Sequence, residues 1–447
     1  MNSLFEKKLR SISKPEPLVK YFSSDTEFPD IMPIQKIEEF QKESLIEITN
    51  RAYKHCDFYQ KKMDQLGVKP ENIKELKDLS KLPLTSKEEL RGNPYALLAC
   101  DKEDISLVQV STGTTGGEEI YMMYTWEDYY LHELSPGYPK LFPIESDDIC
   151  INSLPYEMSA SGLAFHKTFL EGCGATVVAT GKGGAYSTSE KTVRMMRDLK
   201  PTVIITTPSW AIQLAEAAEE MSFDLKSLPL KTIWLTGEGC SPSFRDRVEE
   251  IWGTQANFYY GSLECGGLGV ECEAHNGYHI PMGHAIIEII DPETGEVLEP
   301  GEVGEIVVTS TVKYDSPLIR FRTKDLGFIE RDVCSCGCAL PRLQLRGRLV
   351  DHIDFQGESH SPIYLEEMLM RLPEVGYWFE FVVNPNRDYI KIRCELQNNV
   401  TPSEDLAESL SSKLEFDLGI PFKFEFVDQM PRSKGKTVRV VHEEDKP

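Results

Sequence analysis

The feature that most constrains this chain is an alternation between residues 175 and 252. Three short β-branched runs, 175–180, 202–206 and 232–236, are separated by stretches with helical spacing at 188–199, 210–221 and 242–252. Apolar runs of that length, each followed by a helix, predict buried parallel strands with helices on their faces. A bundle of helices or a wholly antiparallel barrel does not produce such a pattern.

The flanks read differently. Residues 37–64 carry a long amphipathic pattern, and Thr85, Ser86, Lys87 and Glu88 suggest a capping box opening another helix. After Gly267, residues 285–290 and 305–310 read as strands joined by a turn-rich segment, a small antiparallel β-unit. From residue 347 the expected order is a helix (364–372), two strands (379–383, 389–396), a helix (403–416) and a strand (422–427). The fold class expected is α/β: a large N-terminal domain over 1–346 with parallel sheet and a small β-unit, plus a small α+β C-terminal domain over 347–447.

The chain has 447 residues and a formal net charge of −24. An acidic bulk argues against nucleic acid as a partner, because phosphate binding along a backbone needs a basic field. Small anions remain admissible, since a few N–H groups and one cation hold a phosphate locally. No apolar run has transmembrane or signal-peptide length, so a cytoplasmic protein without a membrane is expected. Eleven cysteines in a reducing compartment read mostly as buried thiols.

Four segments carry chemistry. Ser111-Thr112-Gly113-Thr114-Thr115-Gly116-Gly117 is a run of hydroxyls and glycines whose N–H groups suit a polyphosphate, although a plain polar loop explains it equally. It lacks the Gly-Lys-Ser/Thr ending of a Walker loop. Tyr260-Gly261-Ser262-Leu263-Glu264 offers an aromatic for a base and a carboxylate for Mg²⁺; core packing is the alternative. Leu318-Ile319-Arg320-Phe321-Arg322-Thr323-Lys324-Asp325-Leu326 places a carboxylate after a strand, suited to ribose hydroxyls or to a surface ion pair. Pro431-Arg432-Ser433-Lys434-Gly435-Lys436 is a basic glycine loop in an acidic chain, suited to neutralising a carboxylate–phosphate reaction centre or to a solvated tail.

Taken in order, these segments with Gly347-Arg348 resemble the adenylate-forming enzymes, the acyl-CoA synthetase superfamily, and most nearly its phenylacetate–coenzyme A ligase branch. The resemblance covers roughly residues 35–442. It implies an ATP-dependent carboxylic acid–CoA ligase, an acid–thiol ligase that passes through an acyl-adenylate, acting on an aryl or short acyl acid. It implies that Ser111, Thr112, Gly113, Thr114, Thr115 and Gly116 hold phosphates, and that Gly237, Glu238, Tyr260 and Gly261 frame adenine. Glu264 would bind Mg²⁺, Asp325 the ribose, and Arg348 the ribose–phosphate side. Lys436 would contact the carboxylate and α-phosphate from a mobile C-terminal domain. ATP, Mg²⁺ and coenzyme A are the implied cofactors.

The chain departs from the family at Gly117, where a lysine is usual, and at Leu263, where Thr or Ser is usual. It departs again at Val350, in place of the hinge acid. The altered hinge keeps open an adenylating enzyme that hands its acyl group to an amine or carrier-protein thiol; a non-catalytic scaffold is the second alternative, against which Glu264, Asp325, Arg348 and Lys436 together argue. A homodimer also stays open.

Cys272, His275 and His279 precede Cys334-Ser335-Cys336-Gly337-Cys338. Two separated sulfur and nitrogen donor pairs suit structural Zn²⁺, and part of the resembled branch has a similar pattern. Cys272, His279, Cys334 and Cys336 are the expected ligands, with Cys338 and His275 in reserve; unrelated buried thiols are the alternative. The acyl pocket is expected near Tyr156, Phe165, His166 and Trp210.

Overall fold

The computed structural model describes residues 30, 32–111, 118–132, 138–158, 160–355, 357–384, 386, 388–432 and 435–443. The chain divides into two compact units: residues 1–179, 257–323 and 327–345 form unit 1, and residues 180–256, 324–326 and 346–447 form unit 2.

Unit 1 opens with helix Ile34–His55, whose buried stripe includes Ile37, Phe40, Leu45, Ile48 and Ala52. The expected single helix over 37–64 is interrupted at Cys56, which is extended (φ −120°, ψ 105°), and a second helix runs Asp57–Gln65. The capping box falls one residue later than expected. Ser86 accepts from the Glu89 N–H and Glu89 accepts from the Ser86 N–H, opening a four-residue helix, Lys87–Leu90. Strands Ile149–Asn152 and Thr176–Ala179 pair in parallel. The expected β-unit is part of a longer array in the order Ala285–Ile290, Gly304–Ser310, Phe321–Glu330, Arg342–Arg348, Tyr278–His279, Gly266–Glu271 and Ala256–Ser262. Its first pair is antiparallel, as the turn between them requires.

In unit 2, Val203–Thr206 and Thr232–Thr236 pair in parallel and every residue of both is buried. Helices Ser189–Leu199, Pro208–Glu220 and Pro242–Trp252 occupy the expected places, each with a Ser or Thr N-cap. The C-terminal sheet has the order Phe422–Phe426, Ile390–Leu396, Val375–Val383, Val440–His442. The last strand and the hairpin Ile353–Phe355/Glu358–His360 are too short for the sequence pattern to disclose.

Residues 180–256 group with the C-terminal segment because ion pairs and hydrogen bonds join them. Arg247 donates to the Leu372 and Val375 carbonyls, both at 2.6 Å, and Glu366 accepts from the Ser241 N–H at 2.8 Å. Arg432 pairs with Glu216, and within the C-terminal segment Arg432 pairs with Glu395 and half-buried Arg439 with Glu366 at 3.4 Å. Arg432 of the basic segment and Arg439 beyond it are therefore held by ion pairs.

Candidate functional site

In unit 1, Ser111 closes the base of the hydroxyl–glycine loop: its N–H donates to the Ile120 carbonyl at 2.9 Å and its Oγ accepts from the Ile120 N–H at 3.2 Å. Thr112, Gly113, Thr114, Thr115 and Gly116 lie outside the described residues.

Tyr260 and Gly261 end the strand Ala256–Ser262. A Cβ at Gly261 would run into the Gly266 carbonyl oxygen, so the bend there requires glycine. Glu264 is 4 % exposed and pairs with Lys87 Nζ at 2.9 Å. Burial raises its pKa, but the Lys87 charge together with hydrogen bonds from Lys87, Ser262 and the backbone outweighs it and leaves the carboxylate below its ordinary value. A buried carboxylate kept charged by one cation suits Mg²⁺, which prefers one or two carboxylates with phosphate oxygens. Lys87 itself is half-buried.

Cys272, His279, Cys334 and Cys336 converge in unit 1, with their ligand atoms all within 4.8 Å of one another. Cys272 Sγ lies 3.7 Å from Cys334 Sγ, and Cys336 Sγ lies 3.4 Å from His279 Nε2. A tetrahedral ion with Zn–S of about 2.3 Å and Zn–N of about 2.0 Å separates its ligands by about 3.3–3.8 Å. The four donors thus fit a structural zinc. The Leu340 carbonyl lies 3.1 Å from His279 Nδ1; with the proton held there, Nε2 is left as the donor. The two reserve ligands are engaged elsewhere: Cys338 Sγ points to the Asp30 carbonyl, and His275 lies 3.3 Å from Glu271.

Of the expected acyl-pocket residues, Tyr156 and His166 meet at 3.2 Å, and burial pushes the Tyr156 phenol up to about 12. Phe165 packs edge-on against Tyr259, with ring centroids 4.9 Å apart. Trp210 belongs to unit 2, buried in the first turn of its helix, with its N–H on Thr207 Oγ1.

In unit 2, Asp325 and Arg348 form an ion pair at 3.0 Å, joining two segments expected to serve ribose. Gly237 has φ +82°, the left-handed conformation that turns the chain after strand Thr232–Thr236. Glu238 follows, and its carboxylate is fully engaged. Oε1 accepts from Lys182 Nζ and Ser209 Oγ, each at 2.8 Å, and Oε2 accepts from the Ser209 N–H at 3.2 Å. Lys436 follows Gly435, whose carbonyl also accepts from Lys182 Nζ at 2.9 Å.

Three lysines escaped the sequence reading. Lys87 gave no signal, because its partner is remote in the chain. Lys182 stands among Gly181, Gly183 and Gly184 directly after a strand, a legible oddity. Lys313 is fully buried over the Tyr124 ring at 4.5 Å, and burial draws its pKa down to about 8 against the pull of Asp128.

Set beside known proteins, the fold is that of the adenylate-forming acid–thiol ligases. The chain belongs to the AMP-binding enzyme family: the AMP-binding enzyme profile matches residues 34–312 and the AMP-binding enzyme C-terminal domain profile matches residues 357–444. Within the family it falls in the phenylacetate–CoA ligase-like branch. It is 30% identical to a phenylacetate-coenzyme A ligase of Thermus thermophilus over 92% of this chain and 97% of that protein. It is 29% identical to the phenylacetate-coenzyme A ligase of Escherichia coli K12 over 91% and 95%. The solved structure of 2-hydroxyisobutyryl-CoA ligase in the postadenylation state superposes with a TM-score of 0.86 at 22% identity, covering 93% of this chain and 92% of that one, a likeness of fold. Among the described residues no helix is long and apolar enough to cross a membrane.

Proposed function

We propose that this chain is an ATP-dependent carboxylic acid–CoA ligase acting on an aryl or short acyl acid. The observation that carries the reading is the similarity to phenylacetate-coenzyme A ligases along nearly the whole chain. In the first half-reaction a carboxylate oxygen attacks the α-phosphorus of ATP and pyrophosphate leaves. In the second, a thiol sulfur attacks the acyl carbon, AMP leaves and the thiol proton is lost.

The residues have distinct tasks. Two anions must approach in the first step, and the Lys436 ammonium lowers their repulsion as charge builds on the α-phosphate. Ser111–Gly116 hold the outer phosphates with N–H and hydroxyl donors. Tyr260 and the backbone of Gly237 and Glu238 flank the adenine. Asp325 accepts from the ribose hydroxyls, and Arg348, paired with it, faces the ribose–phosphate side. Glu264 holds Mg²⁺, which supplies charge neutralisation of the leaving pyrophosphate. Lys87 keeps the Glu264 carboxylate charged before ATP arrives. Cys272, His279, Cys334 and Cys336 hold a structural Zn²⁺ with no open position, which pins the β-unit and takes no part in the chemistry. Tyr156, Phe165, His166 and Trp210 supply acyl-pocket walls. Residues 347–447 act as a mobile domain that withdraws Lys436 between the half-reactions.

Acid-dependent ATP–pyrophosphate exchange over a panel of aryl and short acyl acids tests this reading. At least one acid should support exchange, and Lys436→Ala should lower its rate by about 100-fold or more. An unchanged rate in Lys436→Ala would remove that lysine from the chemistry.

A further inference from the structure

Lys182 is an unusual residue to find buried in an acidic chain. Its side chain is 2 % exposed and that of Glu238 is 6 % exposed. Its ammonium has three partners: Glu238 Oε1 at 2.8 Å, the Gly435 carbonyl at 2.9 Å and Ser209 Oγ at 3.5 Å. A buried ammonium is tolerable only when its donors are all used and a counter-charge is in contact. Both conditions are met here, and the third donor reaches a different part of the chain.

The two main partners are informative. Glu238 lies in the turn at 237–240, expected to frame the adenine. Its carboxylate also caps the first turn of helix Pro208–Glu220 through the Ser209 N–H and hydroxyl, where the helix end favours an anion. Glu238 is thereby fixed in one position, and Lys182 is fixed on it. The Gly435 carbonyl is one peptide away from Lys436. Other polar links between residues 180–256 and the C-terminal segment include Arg247 to the carbonyls of 372 and 375, the Ser241 and Ser243 N–H groups to Glu366 and Glu367, and Arg432, four residues before Lys436, to Glu216. Among the contacts described, Lys182 is the cation bound next to the reactive lysine. It also stands in a loop whose flanking Gly181 adopts φ +70°, so the backbone there can carry the lysine inward.

We propose that Lys182 is a positioning residue for the adenylation half-reaction: by holding Glu238 and the Gly435 carbonyl together, it seats Lys436 beside the adenine-framing turn, and it releases the Gly435 carbonyl when the second half-reaction begins. The inference rests on the reading of the protein as an adenylate-forming ligase. Lys182 itself touches no reacting atom. Its effect comes through the placement of Lys436, and a misplacement of about 1 Å costs roughly 100-fold in rate.

The test uses Lys182→Met, which keeps the length of the side chain and removes the charge. ATP–pyrophosphate exchange should fall about 10- to 100-fold, with the loss in kcat rather than in the KM for the acid. Thioester formation from supplied acyl-adenylate and CoA should stay within about 3-fold of the parent. Exchange that is unchanged, or two half-reactions that fall together, overturns the proposal and leaves Lys182 a fold-stabilising residue. A second readout needs no substrate. Hydrogen exchange in a peptide spanning residues 430–440 should speed up in Lys182→Met, with residues 203–206 unchanged; equal protection in both proteins also overturns it. If the parent protein shows no pyrophosphate exchange with any acid, the functional reading fails, and the hydrogen-exchange comparison still decides whether Lys182 holds the Lys436 loop.

Discussion

The cysteine–histidine cluster of unit 1 and the Lys182–Glu238 cluster of unit 2 have similar geometry and opposite legibility. Each brings side chains from separate segments to within a few ångströms in a buried place. The first could be read from the chain because Cys and His at paired spacing have few uses in a reducing compartment. In the second, Glu238 was a candidate and Lys182 stood out by its flanking glycines, but their meeting was not legible, because it depends on separate segments returning to one point. A sulfur site advertises itself by residue type, whereas an ion-pair site is specified by topology.

The two clusters should also fail differently. The largest expected effect is in the first. Purified protein should carry about one Zn²⁺ per chain, and Cys334→Ser with Cys336→Ser should abolish binding and cost several kcal/mol of stability, because binding energy at a structural zinc is folding energy. Metal analysis with denaturant unfolding measures both. A metal-free protein of unchanged stability would reduce the four residues to ordinary thiols.

Glu238→Gln comes next. It leaves the Lys182 ammonium buried without its counter-charge, and breaking a buried pair from one side costs about 3–5 kcal/mol. Urea unfolding should shift by that amount; a shift under 1 kcal/mol would mean that the pair is hydrated and exerts no hold.

The smallest effect sharpens the contrast. Ser209→Ala removes one donor to Glu238 Oε1 and leaves Lys182 and the Ser209 N–H in place. Losing that hydrogen bond should cost about 1–3 kcal/mol, with no change in bound metal. The ion cluster thus degrades by increments, while the metal cluster is lost as a whole. Similar sensitivity in both would break the comparison.

Much of the fold was legible for physical reasons. Buried parallel strands need continuous apolar runs, and 203–206 and 232–236 have them. Helix starts were marked by Thr188, Thr207 and Ser241. The break at Cys56 was not legible, because the amphipathic spacing runs on through it. The short strand Val440–His442 was hidden because three residues carry no period, and its place is set by pairing with 381–383. At the site, residue types offered Glu264, Asp325 and Lys436 as candidates, and the family resemblance added Arg348. The cations that hold two of the carboxylates differ in kind. Arg348 meets Asp325, both expected site residues, whereas Lys87, which meets Glu264, comes from far away in the chain and was missed.

The central claim is that an acid is adenylated here and then passed to coenzyme A. The most direct measurement supplies ATP, a supporting acid and CoA, and counts pyrophosphate, AMP and acyl-CoA. Adenylation followed by transfer to CoA forms the three in equal amounts, and none without the acid. Pyrophosphate exchange with no consumption of CoA would assign the acyl group to another acceptor, and no acid-dependent pyrophosphate at all would contradict the account outright.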